Sequence, residues 1–166
     1  MTATLSGDTL RRAFRRHPAG VVVITADDGR DPAGFTATSL TSVCAEPPLI
    51  SFGVSTGSSS WPHVRDARSI VVNFLGAHQE EVARRFATSG IDRFAAPTRW
   101  SRLDGGEPVL DGTAGWLRAE VRTLIPAGDH HLVLALVTAG DLREGTAPLL
   151  YHDGRYRTIR DDVPRP

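Results

Sequence analysis

Apolar residues recur along the chain at two spacings, and the switches between them mark out its elements. From Asp8 to Arg16, Leu10, Ala13 and Phe14 fall on one helical face, with Asp8 as the expected N-cap and Pro18 as the stop, so a short leading helix is predicted. Val21-Val22-Val23-Ile24-Thr25 is a β-branched run closed by Asp27-Asp28-Gly29, and Ile50, Phe52 and Val54 alternate with Ser51, Gly53 and Ser55; both segments predict strands. Ser69 to Leu75 is a third strand-like run. Spacing turns helical from Gln79 to Ala87, where Val82, Ala83 and Phe86 share a face and Gly90 is the expected end. Leu117, Ala119, Val121 and Thr123 then alternate with Arg118, Glu120 and Arg122, as in a half-buried antiparallel strand. His131 to Val137 is apolar after its first residue, which predicts a strand buried on both sides. Asp153-Gly154, between Tyr151-His152 and Arg155-Tyr156, is a hairpin signal.

Many strands, few helices and glycine or proline turns spread along the chain predict a mainly β fold, a closed or nearly closed antiparallel barrel with a few short peripheral helices. At 166 residues and 40% apolar content, one domain over residues 1–160 is expected, with a frayed tail at 161–166. The 19 basic residues, all arginine, balance 19 acidic ones, which gives no electrostatic support for nucleic-acid binding. The absence of lysine excludes a lysine Schiff base and leaves arginine or protonated histidine as the side-chain cation for any phosphate. A lone Cys44, no signal-peptide pattern and no membrane-length apolar run fit a soluble cytoplasmic protein.

Common chemical signatures are missing. No glycines are spaced for G-x-G-x-x-G, no Walker loop is possible without lysine, and C-x-x-C, H-E-x-x-H and G-x-S-x-G are absent, so no metal site is expected. The adjacent His130 and His131 should point to opposite faces of a strand. Hydroxyl density is what stands out. Gly34 to Val43 carries five hydroxyl residues in ten, and the strand at Ile50–Val54 runs into Ser55-Thr56-Gly57-Ser58-Ser59-Ser60-Trp61-Pro62. Both stretches can serve the edge acceptors and phosphate of a flavin, or simply be polar turns. Ser60 followed by Pro62 reads as a helix N-cap whose free N–H groups suit an anion.

These blocks, in their order, resemble the flavin reductase family, the small reductases of two-component flavin monooxygenases. The likeness runs from about Phe14 to Ile159. It rests on Pro18-Ala19-Gly20-Val21, Gly34-Phe35-Thr36-Ala37-Thr38-Ser39, Glu46-Pro47-Pro48-Leu49, the serine turn ending in Trp61-Pro62, Val72-Asn73-Phe74-Leu75, Asp92-Arg93-Phe94, Gly128-Asp129-His130 and Pro148-Leu149-Leu150-Tyr151-His152. The resemblance implies a split antiparallel β-barrel (Greek-key) that forms a homodimer, with FMN or FAD near the subunit interface and NADH or NADPH as hydride donor. It implies that Thr36, Ala37, Thr38 and Ser39 line the isoalloxazine ring, that Ser55, Ser58, Ser59 and Ser60 hold ribityl and phosphate, and that Asp92 and Arg93 close over the flavin's outer part. It places His130 near the nicotinamide and makes reduced flavin the product handed to a partner monooxygenase. Thr38 stands where many relatives carry asparagine. A protein that only carries flavin on the same barrel is the alternative.

Overall fold

The computed structural model describes residues 4–159. A leading helix α1 (Gly7–Arg15) precedes β1 (Ala19–Gly20), β2 (Val22–Asp27), β3 (Pro32–Ala37), β4 (Thr41–Cys44) and β5 (Leu49–Ser55). Helix α2 (Trp61–Asp66), β6 (Ser69–Phe74), a 3-10 turn and α3 (Glu80–Ala87) follow. The rest is strand: β7 (Trp100–Arg102), β8 (Pro108–Leu110), β9 (Gly115–Ala127), β10 (His130–Leu142), β11 (Leu149–His152) and β12 (Arg155–Thr158).

The main sheet has seven antiparallel strands in the order β3-β2-β6-β9-β10-β5-β4. In a flat sheet β3 and β5 would lie about 24 Å apart, five strand spacings. Instead the rings of Phe35 on β3 and Phe52 on β5 are 6.3 Å apart. The sheet therefore curls into a barrel around Ile24, Phe52, Val54, Ile70, Val72 and Val133, while its edges, β3 and β4, stay unpaired with each other: a split barrel, as the sequence predicts. A second core lies outside the sheet, where Val23, Leu75, Phe86, Leu110 and Leu149 pack beneath α3. That position explains why β6 is buried on both faces, Ile70 and Val72 inward and Val71 and Asn73 outward. Asn73 is fully buried; its Nδ2 donates to Val23 O and Thr25 Oγ1 at 3.1 Å each, and its Oδ1 accepts from Leu110 N at 2.9 Å, tying β2, β6 and β8 together.

Four expectations need correction. Ser6, not Asp8, caps α1, its hydroxyl accepting from Thr9 N at 3.3 Å; Asp8 instead lies in the first turn and pairs with Arg11. The Leu10/Ala13/Phe14 face of α1 meets no core, and no residue of that helix is buried. The alternation along β9 breaks at Arg122, where a bulge lets Val121 oppose Ala135 while Thr123 opposes Leu134, turning Thr123 out of the core. Finally, β10 is buried on one side only: Val133 and Ala135 face the barrel, whereas Leu132 faces out, 40% exposed, opposite Ile125. The hairpin signal is borne out, with Asp153 and Gly154 at φ 49° and 74° joining β11 to β12. The tail at 161–166 lies outside the described residues. No helix among them is long and apolar enough to cross a membrane.

Candidate active site

The ends of β3 and β5, the serine turn, the end of α3 and the start of β10 enclose a cavity of about 610 Å³, within the range of small-molecule sites. Of the residues singled out in the sequence, Thr36, Ala37, Thr38, Ser39, Ser55, Ser58, Arg93 and His130 line it. Ser59, Ser60 and Asp92 stand outside the lining.

The scaffold that sets these groups is made of short polar links. Ser39 Oγ accepts from Gly53 N at 2.9 Å, pinning the segment after β3 to β5. Thr36 Oγ1 donates to Ala83 O at 2.6 Å, so its hydrogen is committed to α3. In the serine turn, Ser55 Oγ accepts from Gly57 N and Ser58 Oγ from Ser60 N, both at 3.2 Å. Acceptance leaves each O–H hydrogen free to donate into the cavity. Thr56 bonds Asp129 O through both its N–H (2.9 Å) and its hydroxyl (3.0 Å), which holds the β9–β10 turn beside the serine turn.

Ser60 does not cap α2. Its backbone is helical rather than extended, and its hydroxyl is buried and donates to Gly34 O at 2.9 Å. The anion-binding potential lies instead in Arg93. Its guanidinium donates to Gly34 O (2.7 Å), Ser60 Oγ (3.0 Å) and Thr88 O (2.9 Å), and among the described residues it meets no carboxylate. Burial lowers its pKa, with no counter-charge to offset the lost hydration. Asp92, its neighbour in sequence, turns away: Oδ1 accepts from Phe94 N and Ala95 N at 2.9 and 3.1 Å and shapes the loop that carries Arg93.

His130 and His131 do point to opposite faces. His130 pairs with Ser55 across the strands and lines the cavity, whereas His131 stacks on Trp61, ring centroids 4.2 Å apart, at the barrel end. His130 Nδ1 lies 2.7 Å from Asp129 Oδ1, and that bond holds the Asp129 carboxyl below its usual range. An N–H given to the carboxylate leaves Nε2 as the ring's free polar atom, an acceptor in the neutral imidazole. Sequence reasoning missed this role of Asp129, and also the wall supplied by Phe86, Ala87 and Ser89 at the end of α3. Adjacency of Asp129 and His130 was the available signal for the first. Nothing local signalled the second.

A half-buried cation without a counter-ion and free hydroxyl hydrogens fit a phosphate joined to a ring with polar edges. The comparison with known proteins agrees: residues 14–160 match the flavin reductase like domain. The chain belongs to the flavin reductase like domain family. The reductase is 52% identical over 159 residues to an NADH:FMN oxidoreductase of Rhodococcus qingshengii, covering 93% of this chain and 82% of the relative. It is 34% identical over 151 residues to the reductase component of a flavin-dependent trigonelline monooxygenase of Acinetobacter baylyi, covering 90% of this chain and 48% of the relative. A solved NADH:FAD oxidoreductase of Streptomyces globisporus, in complex with NAD and FAD fragments, superposes with a TM-score of 0.89 at 30% identity, over 98% of this chain and all of that one. The reductase is thus an enzyme that reduces flavin with a reduced nicotinamide nucleotide.

Proposed function

We propose that the reductase takes FMN as its hydride acceptor and NADH as its donor, works as a cytoplasmic homodimer and passes reduced FMN to a flavin-dependent monooxygenase. The observation that carries the site assignment is Arg93, a half-buried guanidinium facing a cavity without a carboxylate partner among the described residues. Bound flavin supplies the electron-accepting ring, and the nicotinamide supplies the hydride. Arg93 holds the flavin phosphate, with Ser55 and Ser58 donating their free hydrogens and Ser59 at the rim of the same turn. Thr36, Ala37, Thr38 and Ser39 form the wall against the ring. Ser60 and Asp92 are positioning residues that set the Arg93 side chain and its loop. His130 accepts a hydrogen bond from the nicotinamide carboxamide through Nε2, and Asp129 fixes its tautomer, so rate is gained by orientation. No side chain is required to transfer a proton in the hydride step. The choice of FMN and NADH, like the monooxygenase partner, is supported by the relatives' activities; the single cysteine supports a reducing compartment.

The homodimer rests on the outer face of β5, β9 and β10. Leu132 and Ile125 lie there, 40% and 44% exposed, on the same face as Ser55 and His130. A second copy seated on this face buries both and closes one side of the cavity.

The test is NADH and NADPH oxidation, followed in the near ultraviolet with FMN, FAD or riboflavin. Wild type should turn over fastest with NADH and FMN. Arg93→Ala should raise the KM for FMN about tenfold or more, as expected for loss of a charge-assisted hydrogen bond, while changing riboflavin turnover far less. His130→Ala should lower kcat/KM for NADH with FMN affinity retained. Flavin binding without turnover by either nucleotide would leave a flavin carrier in place of the reductase.

A further inference from the structure

Helix α1 turns no residue to a core, and the charge around it is uneven. The helix, its C-cap and the β11–β12 hairpin carry Arg11, Arg12, Arg15, Arg16, Arg155 and Arg157 against Asp8 and Asp153, in a chain whose 19 basic and 19 acidic residues balance. The two elements touch: Asp153 N donates to Arg15 O at 2.8 Å, and the Asp153 carboxylate lies 3.6 Å from Arg15 Nε. We propose that an acidic surface of the flavin-accepting protein docks on this arginine-rich face, an inference that rests on the reductase reading and adds to it a place for the acceptor.

Three observations support this occupant. The first is charge. Arg11 lies 3.4 Å from Asp8 and Arg15 faces Asp153, whereas Arg12 donates to Thr9 Oγ1 at 3.2 Å. Arg12, Arg16, Arg155 and Arg157 meet no carboxylate among the described residues, and the two on β12 are exposed. Positive charge gathered in this way steers an acidic partner and gives a complex that salt weakens. Asp8 and Asp153 favour a protein over a bilayer or nucleic acid, because they repel a uniformly anionic surface, whereas the separate carboxylates of a protein can seat between them. The second is an anchor. Leu5 and Leu10 stand at the N′ and N4 positions of α1, the pair that staples a helix start, so their exposure has a local use. Phe14 has no such use: it is 64% exposed, and its ring meets His17 edge-on with centroids 6.0 Å apart. An aromatic ring among arginines is the composition of an interface hot spot. The third is position. Helix α1 and the Thr38–Thr41 segment line one cavity, so a protein seated on α1 lies beside the wall assigned to the flavin ring.

The probe is a short labelled peptide of alternating glutamate and leucine, followed by fluorescence anisotropy against the whole protein, with an all-glutamate and a lysine–leucine peptide beside it. The glutamate–leucine peptide should bind best, and its affinity should fall about tenfold as salt rises from dilute to physiological strength and screens the exposed charges. Arg12→Gln/Arg16→Gln should weaken it about fivefold, the loss expected for two exposed charged contacts. Neither substitution strands a carboxylate or touches the core. Phe14→Ala should weaken the glutamate–leucine peptide and leave the all-glutamate peptide unchanged. Turnover of NADH with free FMN should be the same in all variants. Equal peptide binding by wild type and either variant would overturn the assignment. So would a loss of turnover with free FMN, which would give the arginines to the substrates, or binding of phosphatidylserine vesicles in place of the peptide. A shift in sedimentation caused by Phe14→Ala would give the face to a second copy and overturn it equally. Absence of nucleotide oxidation by wild type would overturn the reductase reading instead, and the peptide titration would still report on the surface.

Discussion

Gly34 sits where the two cores meet, against Phe86, which lines the candidate cavity. A Cβ at this position would lie 2.9 Å from Phe86 Cε1, 3.0 Å from Ile24 O and 3.1 Å from Thr25 Cγ2, and the Gly34 carbonyl receives the hydrogen bonds of both Ser60 and Arg93. Gly34→Ala should therefore push α3 away from β3 and cost about 1–3 kcal/mol, the usual range for overpacking. The urea midpoint should fall at unchanged slope, and the KM for FMN should rise with it; an unchanged midpoint would show that Phe86 yields without cost. Residue by residue, the readable features were those fixed by alternation. His130 and His131 had to part because neighbouring strand positions face opposite ways. The isolation of Arg93 was not readable, because Asp92 is adjacent in sequence and only the loop's own hydrogen bonds turn its carboxylate elsewhere.

At the scale of elements, β2, β5, β6 and α3 were legible because each has one clear apolar face or a β-branched run. The three-residue strands β7 and β8, and the polar β4, carry no such pattern; they form because a neighbouring strand accepts their backbone hydrogen bonds. The bulge at Arg122 was hidden for the same reason, since pairing with β10 decides it and the residue types do not. One link between elements has a pH signature. Asp66, at the end of α2, bonds Arg65 (2.7 Å) and Arg30 in the β2–β3 loop (2.8 Å). The hydrogen bond from Arg65, opposed by burial and reinforced by Arg30, brings its carboxyl down to about 2. A carboxylate whose folded pKa is depressed stabilises the fold fully above its unfolded value of 3.8, and that contribution fades as pH falls toward about 2. Wild type should exceed Asp66→Asn in stability by a constant margin above about pH 5, with the margin closing between about pH 4 and 2. Parallel urea melts across that range check it; a margin that stays constant down to the acid end would rule out the carboxylate as its source.

For the whole molecule, the barrel was legible as a class from strand number and turn spacing, and its split from the family resemblance, while its outward apolar face was not. The run from His131 to Val137 looks the same in sequence whether its second face meets another layer of the same chain or a second copy. Leu132→Glu should separate the proposed dimer, raising its dissociation constant about 30-fold or more, as for an interface hot spot. Sedimentation velocity over a dilution series checks it, and an unaltered profile would move the interface elsewhere. Arg93 carries a further consequence for how the molecule behaves in air. Its Nε and Nη1 hydrogens are already given to Thr88, Gly34 and Ser60, so only Nη2 can meet a phosphate without breaking the protein's own hydrogen bonds. Retention is thereby weak and the prepared protein should be colourless. Each reduced flavin that departs without meeting an acceptor protein encounters dissolved oxygen, so the hydrogen peroxide formed per nucleotide consumed measures the fraction of product lost in transit.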